Sequence, residues 1–164
     1  MIPILLAVAI SFALLAATVV IHYEVLNTTS RMMPQLHRRY HRRQMLLVLA
    51  GIFVAHLLEI SLYAGAYHLM TDHFGLGGIA GEVGLGTAAL DYFYFSLTTY
   101  TTLGIGDVYP TGPLRIVAGT ESLNGLVLIG WSASYTFLAM KRLWGEAQSD
   151  PDNGGDSQAS GDDR

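Results

Sequence analysis

Three long apolar stretches dominate the pattern of hydrophobic and polar positions. They cover about 2–21, 45–67 and 114–140, and each is close to the roughly 20 helical residues that cross about 30 Å of hydrocarbon. A fourth segment, 91–100, is aromatic and too short to span, but it is long enough for about three helical turns. The pattern predicts an all-α integral membrane protein with three transmembrane helices and a short helix between the second and third.

Composition supports a membrane location. Hydrophobic residues make up 51% of the chain and charged residues 13%, about half the charged fraction usual in a soluble domain. The chain contains no cysteine, which excludes disulfides, thiolate metal sites and a cysteine nucleophile. The net charge of -4 reflects mainly an acidic, glycine- and serine-rich C-terminal tail, which is predicted to be disordered.

Basic residues are concentrated on one predicted side of the membrane. Five arginines lie between the first two spans, and two more basic residues follow the third, namely Arg31, Arg38, Arg39, Arg42, Arg43, Lys141 and Arg142. The positive-inside rule makes this side cytoplasmic, so an odd number of spans places the N-terminus outside and the C-terminus inside. No lysine or arginine precedes the first apolar run, which argues against a cleaved signal peptide. We expect Arg38, Arg39, Arg42 and Arg43 to contact anionic lipid.

One short motif precedes the third span and carries the clearest chemistry, Thr101-Thr102-Leu103-Gly104-Ile105-Gly106-Asp107. Two glycines that alternate with apolar residues give the backbone conformations that other residues avoid. Successive carbonyl groups can then point to one side, and a ring of such carbonyls can replace the hydration shell of a cation. The motif predicts an ion-selectivity filter.

The motif resembles the Thr-Val-Gly-Tyr-Gly-Asp filter of potassium channels, and about 90–140 resembles the pore module of bacterial members of that family. The resemblance implies a homotetramer that conducts potassium passively, without cofactor or catalysis. It also implies that 91–100 is a re-entrant pore helix, with the filter loop after it. The implied potassium sites are the carbonyls of Thr102, Leu103, Gly104 and Ile105, with Gly106 completing the filter and Asp107 at the outer mouth.

Ile105 departs from the family pattern, which usually has tyrosine or phenylalanine at this position. Isoleucine cannot donate the hydrogen bond by which tyrosine helps to brace the filter. Packing against the aromatic residues of segment 92–95 is an alternative support. A non-selective monovalent cation channel is therefore the alternative function.

Two other classes of protein share parts of the pattern. The residues Gly104-Ile105-Gly106-Asp107 also satisfy the Gly-x-Gly-Asp motif of intramembrane aspartyl proteases. Those enzymes need a second aspartate on another helix, and neither of the first two apolar stretches contains one. A chance glycine-rich turn in a small membrane adaptor protein is the third alternative.

Polar residues within the second and third spans form an intramembrane cluster of candidates, His56, Glu59, Glu121 and Asn124. Such residues are costly in a bilayer and invite a functional hypothesis. We expect His56 or Glu59 to bond Glu121 behind the filter, either as a pH sensor or as a polar clamp that fixes helix register. Gly125 and Gly130 are candidates for a gating hinge or for close helix packing.

These features divide the chain into four parts. Residues 1–26 form a peripheral transmembrane helix, 27–44 a basic cytoplasmic loop, 45–144 the pore domain and 145–164 an acidic cytoplasmic tail. Within the pore domain, the outer helix is followed by a glycine-rich turret over 71–89, the pore helix, the filter and the inner helix. The expected setting is the plasma membrane, as a multi-pass protein. No span has arginine at every third position, so we expect no voltage sensor, and we expect no nucleic-acid partner.

Overall fold

The computed structural model describes residues 1–32, 41–82, 84 and 86–148, and the side chains among these except those of 41, 42 and 143–148. The elements in chain order are α1 (Ile2–Met32), α2 (His41–Asp72), β1 (Ile79–Gly81), α3 (Ala88–Tyr100), β2 (Val108–Pro110) and α4 (Leu114–Gln148). Helices α1, α2 and α4 are long and apolar enough to cross a membrane. The predicted three-span, all-α architecture is confirmed, with α3 between the second and third spans.

The helices extend beyond the apolar stretches that predicted them. α1 continues to Met32 and α2 begins at His41, so the predicted loop over 27–44 is too long. The sequence between Leu26 and Met32 contains neither glycine nor proline, and the Thr29 hydroxyl bonds the Val25 carbonyl at 2.8 Å. Helix geometry therefore persists past the end of the apolar run.

α3 is the short helix of the predicted pore region, and it begins at Ala88 rather than at Asp91. Thr87 caps its N-terminus with an extended backbone, and its side chain accepts a hydrogen bond from the Leu90 amide. Threonine is a favoured N-cap residue because its hydroxyl satisfies an amide that has no partner within the helix. Asp91 lies in the first turn, where its negative charge suits the helix dipole.

A two-stranded antiparallel sheet joins the glycine-rich turret to the segment after the filter motif, and the sequence did not predict it. Ile79 pairs with Pro110, Ala80 with Tyr109 and Gly81 with Val108. The backbone of Gly81 has φ +118°, and a Cβ there would lie 2.0 Å from the Asp107 carbonyl oxygen. Glycine permits this close approach, which fixes the turret beside Asp107.

The core lies where α2, α3 and α4 meet. Its largest fully buried side chains include Tyr63, Tyr67, Tyr100, Met70 and Leu114. α1 packs against α2 and α4 through one stripe of buried, mostly small or polar residues, Ala7, Ser11, Leu14, Thr18, His22, Leu26 and Thr29. Small residues allow close contact between helices in a membrane.

Candidate functional site

The filter motif forms an irregular loop after the C-terminal end of α3, and the sign of the backbone angle φ alternates along this loop. Thr102, Gly104 and Gly106 have positive φ values of 58°, 49° and 92°, whereas Leu103 and Ile105 do not. Thr102 is the sole non-glycine residue with positive φ in the described part of the chain. A β-branched residue avoids this conformation, so the surrounding structure must hold it there. The sign of φ therefore alternates along the loop from Thr102 to Gly106.

Hydrogen bonds from α3 hold the beginning of the loop. The Thr102 amide donates to the Thr99 carbonyl at 3.0 Å, and the Gly104 amide donates to the Thr98 carbonyl at 3.1 Å. Leu103 and Ile105 are 65% and 61% exposed in the single chain. Ile105 is therefore largely uncovered within its own chain. Support of the filter by packing against the aromatic residues of 92–95 stays a prediction.

Asp107 is braced where the loop returns to regular structure. Its carboxylate accepts a hydrogen bond from the Tyr94 hydroxyl at 2.7 Å and one from the Val108 amide at 2.9 Å. The bond to this carboxylate raises the pKa of the Tyr94 hydroxyl, because loss of the phenolic proton would place two negative charges together. The Asp107 carbonyl also accepts from the Glu82 amide at 2.9 Å. A tyrosine on the short helix and a backbone contact from the turret therefore support the loop.

A cleft of about 720 Å³ runs beside the loop in the single chain. It is lined by α3 residues that include Phe95 and Thr98, by residues of the loop, and by α4 residues that include Arg115 and Ser122. The Ser122 hydroxyl bonds the Thr99 carbonyl at 3.0 Å. One chain therefore supports this loop from α3 and α4 but leaves the other side of the loop open.

Two separate polar clusters lie in the buried region behind α3. In the first, Glu59 accepts from the Tyr100 hydroxyl, and its carboxylate lies 2.8 Å from His22 Nδ1 and 3.3 Å from His56 Nδ1. The Ser132 hydroxyl lies 3.2 Å from His22 Nε2 and 3.1 Å from His56 Nε2. Residues from all four helices meet in this cluster.

The second cluster surrounds Glu121 on α4. Its carboxylate accepts hydrogen bonds from the Tyr67 hydroxyl and, at 2.6 Å, from the Ser96 hydroxyl. Asn124 donates to the Thr18 hydroxyl at 2.8 Å and to the Tyr63 hydroxyl at 3.3 Å. These contacts bind α4 to each of the other three helices.

The expected bond between Glu121 and either His56 or Glu59 is wrong. α3 lies between the two carboxylates and supplies a hydroxyl to each, Ser96 to Glu121 and Tyr100 to Glu59. Sequence analysis identified the four polar positions on α2 and α4 but missed His22, Tyr100 and Ser132. His22 lies one residue beyond the predicted first span. The signal that could have found it is its helical spacing from Ser11 and Thr18, two polar positions in the first apolar stretch.

The two candidate hinge glycines occupy different surroundings. A Cβ on Gly125 would lie 2.1 Å from the Tyr100 carbonyl oxygen, whereas a Cβ on Gly130 would meet nothing within 4 Å in the single chain. Gly125 therefore permits close approach of α4 to the end of α3.

The expected lipid contacts of the arginines fall largely outside the described residues. Arg38, Arg39 and the Arg42 side chain lie outside them, as does the tail 149–164. Arg43 is exposed.

Two spanning helices that enclose a half-length helix and a glycine loop form the architecture of a membrane pore module. A family model described as ion channel matches residues 46–142, which include most of α2, the short helix with its loop, and most of α4. This match covers more than half of the chain, so the chain belongs to this ion channel family of two-helix potassium channel pore modules.

Family membership indicates ion transport in a lipid bilayer rather than catalysis. α1 lies outside the matched residues. A search of curated proteins and a search of solved structures found no match.

Proposed function

We propose that the chain is one subunit of a homotetrameric channel that conducts potassium passively through a filter formed by residues 102–106. The carbonyls of Thr102, Leu103, Gly104 and Ile105 are the proposed ion sites. The observation that carries this proposal is the positive φ at alternate positions, Thr102, Gly104 and Gly106. This alternation supports carbonyls that face a common axis, where they replace the hydration shell of a cation.

The openness of the single chain supports assembly around an axis. Residues 101–106 are exposed, and a cleft of about 720 Å³ lies beside them. Irregular backbone at membrane depth is stable only where protein or a water-filled cavity surrounds it. A closed ring of identical chains provides both, and the family resemblance implies that the ring has four members.

Selectivity for potassium requires support that does not depend on the side chain of Ile105. Tyr94 and the sheet residues around Asp107 offer this support, because they fix the outer end of the loop on both sides. The Asp107 carboxylate at the mouth would raise the local concentration of cations, an effect that weakens as ionic strength increases.

The proposed orientation follows the distribution of basic residues. With the arginine-rich segment between α1 and α2 in the cytoplasm, Asp107 faces the exterior and both the N-terminus and the turret lie outside. The arginines 38, 39, 42 and 43 would then face the anionic headgroups of the inner leaflet of the plasma membrane.

The reversal potential across a planar bilayer, with potassium on one side and sodium on the other, tests this function. We expect the purified protein to reverse near the potassium equilibrium potential. Gly104→Ala should abolish the current, since alanine in the left-handed region costs about 1–2 kcal/mol. Gly84→Ala is the matched control, because Gly84 has no positive φ and a Cβ there would meet nothing within 4 Å.

Two outcomes would contradict the proposal. A reversal potential near zero would indicate a non-selective cation channel. Equal currents from wild type and Gly104→Ala would remove the filter from the conduction path.

A further inference from the structure

Three donor side chains converge behind the short helix, away from the filter loop. His22 on α1 and His56 and Glu59 on α2 each offer one ligand atom, and these atoms all lie within 4.8 Å of one another. His22 and Glu59 are fully buried, while the His56 side chain retains 16% of its accessible surface. The cluster is thus a preformed set of donors with one partly accessible edge.

The donor types and their spacing fit a transition metal. Two imidazole nitrogens and one carboxylate oxygen form a common zinc ligand set, with bonds of about 2.0–2.2 Å. Adjacent ligands of such a tetrahedral centre are roughly 3.3 Å apart, as its bond lengths require. His22 Nδ1 and His56 Nδ1 lie 2.8 and 3.3 Å from the two Glu59 oxygens. Small side-chain adjustments would therefore bring the three ligands to coordination distance.

A second layer of contacts already orients both imidazole rings. The Ser132 hydroxyl lies 3.2 Å from His22 Nε2 and 3.1 Å from His56 Nε2, which leaves both Nδ1 atoms directed at Glu59. Metal-binding histidines usually have their second ring nitrogen fixed in this way. The Tyr100 hydroxyl is 2.9 Å from His56 Nδ1 and also contacts Glu59, so its oxygen is a fourth potential ligand beside the three donors.

We propose that His22, His56 and Glu59 bind one divalent transition-metal ion of the zinc class, with the Tyr100 hydroxyl or a water molecule as the fourth ligand. Imidazole ligands favour zinc and its neighbours over magnesium or calcium. The ion would join α1 to α2 beside Tyr100, the last residue of α3 before the loop that carries the filter motif. This assigns a role to α1, the helix outside the pore module.

Cobalt absorption spectroscopy tests the site without reference to ion conduction. The full-length protein, purified without a polyhistidine tag, is titrated with Co²⁺ in detergent micelles. We expect one Co²⁺ per chain with the intense visible absorption of a tetrahedral centre, and we expect Zn²⁺ to displace it. His22→Gln and Glu59→Gln should lose this absorption.

His68→Gln is the matched control, because His68 pairs with Asp72 at 2.9 Å on a more exposed part of α2. This variant should bind Co²⁺ as the wild type does. Absence of binding by the wild type would overturn the proposal, and so would unchanged binding by His22→Gln.

Ser132→Ala keeps the test decisive if removal of a ligand prevents folding. The variant retains all three ligands but loses the hydroxyl that orients both rings. Loss of such outer contacts typically weakens metal affinity about 10- to 100-fold, and we expect a decrease of that size. An affinity equal to that of the wild type would overturn the assignment of the metal to this cluster.

Discussion

At Gly125, α4 lies close to the end of the short helix. A Cβ at this position would lie 2.1 Å from the Tyr100 carbonyl oxygen. Packing alone therefore explains why the position requires glycine. A hinge role would instead require a change of backbone conformation at this residue. The two roles predict different effects of a single methyl group on stability.

We expect Gly125→Ala to destabilise the protein by about 1–3 kcal/mol, the usual cost of an overpacked contact. Gly130→Ala is the matched control on the same helix, since a Cβ there meets nothing within 4 Å in the single chain. Thermal unfolding in detergent, followed by near-ultraviolet circular dichroism, measures the difference. Equal stability of the two variants would contradict the packing role of Gly125.

The hydrogen bond from Tyr94 to Asp107 predicts that ion selectivity depends on pH, and the direction follows from the pKa of Tyr94. Its pKa is raised by the hydrogen bond to Asp107, so the bond contributes fully below the ordinary tyrosine pKa of about 10. That contribution is lost as pH rises through the raised pKa of the folded state. We expect ion selectivity to be constant from about pH 7 to 9 and to fall at higher pH.

Removal of the Tyr94 hydroxyl should reproduce the high-pH state at neutral pH. We expect Tyr94→Phe to shift the reversal potential toward zero and to make it insensitive to alkaline pH. Tyr92→Phe is the control on the same helix, because the Tyr92 hydroxyl makes only a 3.4 Å contact with Asp72. A normal reversal potential in Tyr94→Phe would show that Asp107 does not need this brace.

Between helices, the contact of α1 with α2 depends on another glycine. A Cβ on Gly51 would lie 2.4 Å from the Thr29 hydroxyl oxygen, whereas a Cβ on Gly65 in the same helix would meet nothing within 4 Å. The Thr29 hydroxyl cannot move aside without losing its bond to the Val25 carbonyl. The docking of α1 is therefore sensitive to side-chain size at one position on α2.

We expect Gly51→Val to lower the free energy of unfolding by about 1–3 kcal/mol, with Gly65→Val as the matched control. Chemical denaturation in mixed micelles measures both variants. If Gly51→Val is as stable as Gly65→Val, the close contact between α1 and α2 does not hold α1 in place.

The predicted interfaces between elements were less accurate than the elements themselves. The positions of His56, Glu59 and Glu121 followed from the sequence, because polar residues stand out in apolar stretches. Their partners did not, because the short helix inserts between α2 and α4 and donates hydrogen bonds to the carboxylates of both Glu59 and Glu121. The strands β1 and β2 were missed for a similar reason, since three-residue strands have no periodic pattern of their own.

At the scale of the whole molecule, the arginine-rich segment between α1 and α2 predicts how the protein is oriented in the membrane. The chain has no cysteine, so a single introduced cysteine is a unique label. Glu82 on the turret and Met32 at the end of α1 are both exposed, which makes them suitable positions on the two predicted sides.

We expect a membrane-impermeant maleimide to label Glu82→Cys in intact cells and Met32→Cys only after the cells are permeabilised. The positive-inside rule gives this direction. The opposite labelling pattern would place the filter mouth in the cytoplasm and contradict the proposed topology.

The sequence by itself determined the three spans, the short helix between the second and third, and the glycine motif that follows it. These features depend on local properties, namely the length of an apolar run and the backbone freedom of glycine. Only the tertiary structure decided that Tyr94 supports Asp107, that Gly125 contacts Tyr100, and that His22 joins Glu59. Each of these pairs depends on how the helices are rotated and packed against one another, and no short stretch of sequence contains that information.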